Sequence, residues 1–94
     1  MIWSYRTKDS ERFASGQRVA KWEVFREQAE KRLRILEAAP SLSDLAALPS
    51  NRLEALKGER KGQYAIRINM QWRICFEWPK DASGPESVEI VDYH

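Results

Sequence analysis

The sequence predicts an α+β fold, with helices packed on one face of a mostly antiparallel sheet. Three observations carry this. Trp22, Phe25, Ala29, Leu33 and Leu36 recur at three- and four-residue spacing, which is one face of a long helix. Tyr64, Ile66 and Ile68, and then Trp72, Ile74, Phe76 and Trp78, alternate with smaller or charged residues, the pattern of two strands that each bury one face. The helical pattern comes first along the chain and the strand pattern second, and that segregation builds a sheet covered by helices on one side.

Taken in order, Ile2-Trp3-Ser4-Tyr5-Arg6 is short and rich in β-formers, so a first strand is expected there. Asp9 and Ser10 are suited to cap a brief helix that ends near Gly16. The long helix is expected from Ala20 and stops within a residue or two of Pro40, because the residue before a proline is pushed out of the helical region. Glu23, Glu27, Glu30, Lys31 and Arg34 cover its solvated sides. Ser41 to Pro49 reads as a connector, with Leu42, Leu45 and Leu48 able to tuck onto the core, and Arg52 to Leu56 as a short extended piece. Lys57-Gly58-Glu59-Arg60-Lys61-Gly62 mixes two glycines with four charges and marks an exposed turn. Asn69-Met70-Gln71 then joins the two strands of a hairpin, Pro79 to Pro85 is a loop, and Val88 to Val91 is the last strand. Arg67, Arg73 and Glu77 point away from the large apolar residues of the hairpin, so the open face of the sheet carries the arginines.

Composition bounds the function. Ninety-four residues suffice for one domain, expected to span 1–94, with a single modest core. Sixteen basic against fourteen acidic residues give a net charge of +2, too little to predict a polyanionic partner from the total. Distribution says more: between Arg52 and Arg73, six cations (Arg52, Lys57, Arg60, Lys61, Arg67, Arg73) face only Glu54 and Glu59. One cysteine, Cys75, excludes an internal disulfide, and one histidine, His94, leaves too few ligands for a structural metal site, so no metal or other cofactor is expected. No secretory leader or apolar run of transmembrane length is visible, and the chain reads as a soluble, cytoplasmic domain without a membrane partner.

Asp92, Tyr93 and His94 follow the last strand, and imidazole, phenol and carboxylate together can move protons near neutral pH. A basic sheet face rimmed by such groups suits cleavage of an RNA phosphodiester. That reaction needs a base for the 2′-hydroxyl, an acid for the 5′-oxygen and cations for the charge that builds on phosphorus, and it can run without a metal. Plainer roles stand beside this one. Arg73 could pair with Glu77 or Glu89 across strands, the Lys57–Lys61 turn could be simply solvated, Tyr93 could be a tethered core aromatic and Glu54 an ordinary surface residue.

Three stretches narrow the choice: Asn51 to Tyr64 with its Leu-Lys-Gly, Ile66 to Phe76 with its Trp-Arg-Ile, and Val88 to His94 with its Asp-Tyr-His. In that order and spacing they resemble HigB-type toxins of bacterial toxin–antitoxin modules, in the RelE/ParE superfamily, and the similarity runs over nearly the whole chain. The resemblance implies a curved antiparallel sheet with two N-terminal helices on one side. It implies an mRNA interferase that enters the A site of the 70S ribosome, cuts mRNA there and stops translation. It also implies a HigA-like helix-turn-helix antitoxin that neutralises the toxin and represses the operon, so that operator DNA is met only through the antitoxin. Carried over by residue, His94 is the proton-transfer group, Tyr93 assists by stacking or proton transfer, and Asp92 orients or tunes. Arg73 is a phosphate clamp and Lys57 lies near the scissile phosphate, while Arg60, Lys61 and Arg67 are expected to contact RNA. Some relatives carry histidine where this chain has Glu54, so a carboxylate here must share the acid–base work or His94 must carry more of it.

Two other readings fit the same fold. A ParE-like gyrase-inhibiting toxin would not need the terminal cluster, and relatives of that branch generally lack a terminal Asp-Tyr-His. A non-catalytic interaction module would use the mixed charges and the four tryptophans for antitoxin binding alone.

Overall fold

The computed structural model describes residues 1–92. Helix α1 (Lys8–Ala14) is followed by a 3-10 segment (Ala20–Phe25) that runs into α2 (Arg26–Ala38), and a short α3 (Leu42–Ala46) leads to the sheet. The sheet comprises β1 (Glu54–Ala55), β2 (Gln63–Arg67), β3 (Trp72–Glu77) and β4 (Glu86–Asp92), in that spatial order. Every neighbouring pair is antiparallel. This is the α+β architecture expected, with helices on one face.

Register follows the alternation of the sequence. Tyr64 lies opposite Phe76 and Ile66 opposite Ile74, while Ile74 in turn faces Ile90 on β4. These side chains meet the apolar face of the helices in a core of Phe13, Trp22, Phe25, Ala29, Leu33, Leu36, Leu45, Ile66, Ile74, Phe76 and Val88. All five residues of the predicted helical stripe are buried. Pro40 acts as expected: α2 ends at Ala38, and Ala39 is already extended (φ −67°, ψ 124°).

Local details differ from expectation in four places. Ile2–Arg6 does not form a strand of the sheet; it makes one parallel bridge, Tyr5 to Val88. Arg6 N donates to Val88 O (2.9 Å) and Val88 N to Ser4 O (3.0 Å). The reason lies in β4, where Ser87 and Val88 together face Phe76; Ser87 adopts φ 52°, and its N–H turns to Ser4 Oγ (2.9 Å). This bulge bends the edge and limits pairing with a further strand.

The cap of α1 is Thr7 rather than Asp9 or Ser10. Thr7 Oγ1 accepts from Ser10 N (3.1 Å), which frees the buried Ser10 hydroxyl to accept from Ile90 N (3.1 Å) and tie the helix to β4. The long helix starts six residues late in α form. Three residues per turn place Trp22 and Phe25 above one another, both toward the core, while Val24 is 97% exposed. Arg26 braces the junction: its guanidinium binds Glu23 (2.6 Å) and Glu30 (3.0 Å), donates to Gln17 O (2.7 Å) and lies over the Phe13 ring. In the connector, Leu45 is buried and Leu42 packs on the core, but Leu48 stays exposed because α3 ends before it.

Candidate active site

The open face of the sheet is a grid set by register. One row runs Glu54–Ala65–Cys75–Glu89 across β1 to β4, and the next runs Arg67–Arg73–Val91. Leu56, Ala65 and Cys75 are buried and form, with Val91 against them, a small apolar floor. Burial pushes the Cys75 thiol up to about 11. Above this floor, Arg67 and Arg73 stand directly opposite one another. Like charges in that position are unfavourable.

Each arginine is held differently. Arg73 Nη1 donates to the carbonyls of Asn69 (2.7 Å) and Trp72 (3.2 Å), so its guanidinium folds back over the hairpin turn. Arg67 is half-buried, and its Nε is shut from solvent without a hydrogen-bond partner among the described residues. A buried donor left unpaired costs about 1–3 kcal/mol unless a ligand or water supplies an acceptor. Two guanidinium groups share this face, one of them with a donor unpaired among the described residues, which is chemistry suited to an anion.

Glu54 stands on this same face, exposed on the edge strand β1, beside Ala65. Lys57 is exposed at the entry to the turn, where Gly58 (φ 65°) and Gly62 (φ 94°) supply backbone conformations that a side chain would resist. Lys61 is exposed at the exit of that turn. Arg60, in contrast, is engaged with the sheet: its Nη1 binds Glu89 Oε2 (3.1 Å) and Gln63 Oε1 (3.0 Å). Glu89 also takes Arg6 Nε (3.3 Å), and Arg6 Nη2 reaches Glu77 (3.3 Å). The carboxylates that Arg73 could have met across strands thus hold Arg6 and Arg60. Arg6 was invisible as a member of this network, since no local pattern in its segment marks it.

Asp92 lies opposite Trp72, one position beyond the arginine row. By alternation it shares the helix-side face with Trp72, not the face of Arg67 and Arg73. Its Oδ2 accepts from Gln71 Nε2 (2.9 Å), which ties the end of β4 to the hairpin. The structure therefore brings Glu54, Arg67 and Arg73 onto one face and Asp92 to the same end of the sheet. Tyr93 and His94 lie outside the described residues. Among the described residues, no cluster of three His, Cys, Asp or Glu side chains could hold a metal ion, and no helix is long and apolar enough to cross a membrane.

The architecture is shared with known proteins. The structure is similar to a YoeB/ParE toxin from Agrobacterium tumefaciens, with a TM-score of 0.60 over 99% of this chain and 98% of that one. At 14% identity the likeness defines a RelE-like fold and no more. In sequence, a stretch of 48 residues is 48% identical to Toxin HigB-1 of Vibrio cholerae, covering 51% of this chain and half the length of that relative. Residues 4–94 match the family described as the RelE-like toxin of type II toxin-antitoxin system HigB, and the chain belongs to that HigB-like toxin family.

Proposed function

We propose that this chain is a ribosome-dependent endoribonuclease that cuts mRNA in the A site of the 70S ribosome and so inhibits translation and growth. The observation that carries the reading is the cross-strand pair Arg67 and Arg73, set at the sheet end where β4 leads into Tyr93 and His94. A site that keeps two like charges opposite one another is matched to a ligand with several anionic oxygens, and guanidinium groups grip phosphate with paired hydrogen bonds. In this reading the 2′-hydroxyl attacks the adjacent phosphorus, the bond to the 5′-oxygen breaks, and the ends are a 2′,3′-cyclic phosphate and a 5′-hydroxyl. Arg73 and Arg67 balance the charge that grows on the phosphoryl oxygens, and Lys57 adds a point charge from the turn. His94 transfers the proton, with Tyr93 stacking on a base or assisting. Asp92, whose carboxylate accepts from Gln71, orients or tunes that pair. Glu54, where some relatives carry histidine, accepts the 2′-hydroxyl proton in its ionised form, and the nearby cations offset its repulsion from phosphate. Lys61 guides the RNA backbone, whereas Arg60 contributes mainly by holding Glu89.

The partner proposed is a HigA-like helix-turn-helix antitoxin, with operator DNA bound only through it. Family membership supports an antitoxin partner. The test is to map mRNA 5′ ends after brief induction in cells. Cuts in frame within codons are expected. They should disappear in Arg73→Ala and His94→Ala variants that still bind antitoxin. Intact transcripts with accumulating DNA breaks would overturn this reading in favour of gyrase poisoning, and unaltered cutting by both variants would overturn the assigned site.

A further inference from the structure

The turn that joins β2 to β3 is more than a connection. Asn69 Oδ1 accepts from the backbone N–H of Gln71 (2.9 Å) and of Trp72 (2.8 Å). An asparagine that caps its own turn in this way fixes the peptide planes around it. The carbonyl of Asn69 then accepts from Arg73 Nη1 at 2.7 Å, with the Trp72 carbonyl 3.2 Å from the same nitrogen. Two bonds made by one side chain therefore hold a backbone oxygen that holds the guanidinium. The hold matters because Arg67 sits directly opposite, and its charge drives Arg73 outward. An arginine side chain also has many rotamers, which disperse it unless something restrains it.

We propose that Asn69 is a positioning residue for Arg73: its side chain locks the hairpin turn so that the turn's carbonyls aim the guanidinium at the anion site. This rests on the reading of Arg73 as a phosphate clamp. Asn69 itself touches no substrate. An acceptor atom is what the position requires, so aspartate can replace asparagine and alanine cannot.

The test uses the purified chain in single-turnover cleavage of mRNA on programmed ribosomes. Asn69→Ala should slow cleavage about tenfold, as expected when a transition-state contact is misplaced, with little change in affinity for the ribosomal complex. Asn69→Asp should cleave at close to the parental rate. In an Arg73→Ala background, Asn69→Ala should bring no further loss. A second readout needs no activity: the ¹⁵N–¹H signals of the Arg73 guanidinium should be alike in the parent and in Asn69→Asp, and shifted or broadened in Asn69→Ala. The inference is overturned if Asn69→Ala leaves those signals unchanged, if its cleavage loss adds to that of Arg73→Ala, or if both Asn69 variants lose activity only in step with their thermal midpoints. If Arg73→Ala cleaves normally, the clamp reading fails instead, and the guanidinium spectra alone decide whether Asn69 holds Arg73.

Discussion

On the face of the sheet turned to the helices, Ile66, Ile74 and Phe76 are fully buried among aromatic and aliphatic neighbours; on the opposite face the same two strands set Arg67 against Arg73 over a floor of only a few apolar side chains. Adjacent residues of β3 thus work under different constraints. Ile74 removes surface from water, which stabilises the fold, while Arg73 sits where a like charge opposes it. Labour is divided across one pleat: packing on one side gives the sheet enough rigidity to keep an electrostatically unfavourable arrangement on the other.

The sharpest way to break that contrast is to damage the packed face. Phe76 is fully buried and stacks with Tyr64 (ring centroids 6.2 Å apart) and edge-on with Trp78 (6.5 Å). Phe76→Ala should cost about 3–5 kcal/mol in denaturant unfolding, the usual range for such a cavity. A loss below about 1 kcal/mol would mean that the helix side does not carry the fold.

A middle-sized effect probes the floor of the open face. Burial holds the Cys75 thiol protonated to about 11, against 9.0 for an unperturbed group. The folded state therefore keeps a proton that the unfolded chain gives up. Stability from this source is full below pH 9, and it falls as pH rises toward 11, by up to about 2–3 kcal/mol. Unfolding midpoints measured across that window should fall less steeply in Cys75→Ala than in the parent. Equal slopes would show that the thiol is not sealed beneath the arginines. The smallest effect is expected at Arg67. Arg67→Ala removes one of two opposed charges, so the thermal midpoint should stay within the equivalent of about 1 kcal/mol of the parent or rise, while cleavage activity falls. Destabilisation by several times that amount would make the arginines structural ties and dissolve the contrast.

The sequence revealed what periodicity can encode. The stripe from Trp22 to Leu36, the alternation through β2 and β3, the stop before Pro40 and the placing of Arg67 and Arg73 away from the core all follow from spacing, because burial selects residue type at fixed intervals. It did not reveal partners distant in the chain. β-rich composition at Ile2–Arg6 gives no sign that its strand partner is a bulged edge far along the chain, reached by one parallel bridge. The assignment of Arg60 to Glu89, and of Arg6 to Glu77 and Glu89, depends on three-dimensional proximity that charge alone does not specify. Asp92 illustrates a finer limit. Its place at the end of the last strand suggested the rim of the arginine face, but a strand alternates, so Asp92 falls on the face of Trp72, and its Oδ2 accepts from Gln71. The turn at Asn69 was legible as a turn, while its grip on Arg73 was not, because a backbone carbonyl carries no signature in sequence.

The bridge between Ser4–Arg6 and Val88 has a consequence in time rather than in space. A polypeptide is made from its N-terminus onward. Ser4 and Arg6 are therefore made long before Val88. Ser10, likewise, waits for the amide of Ile90. Until Val88 and the residues around it have been added, this chain lacks the strand that closes its edge and supports its arginine face, so the helices and the first three strands are made before the native edge can form.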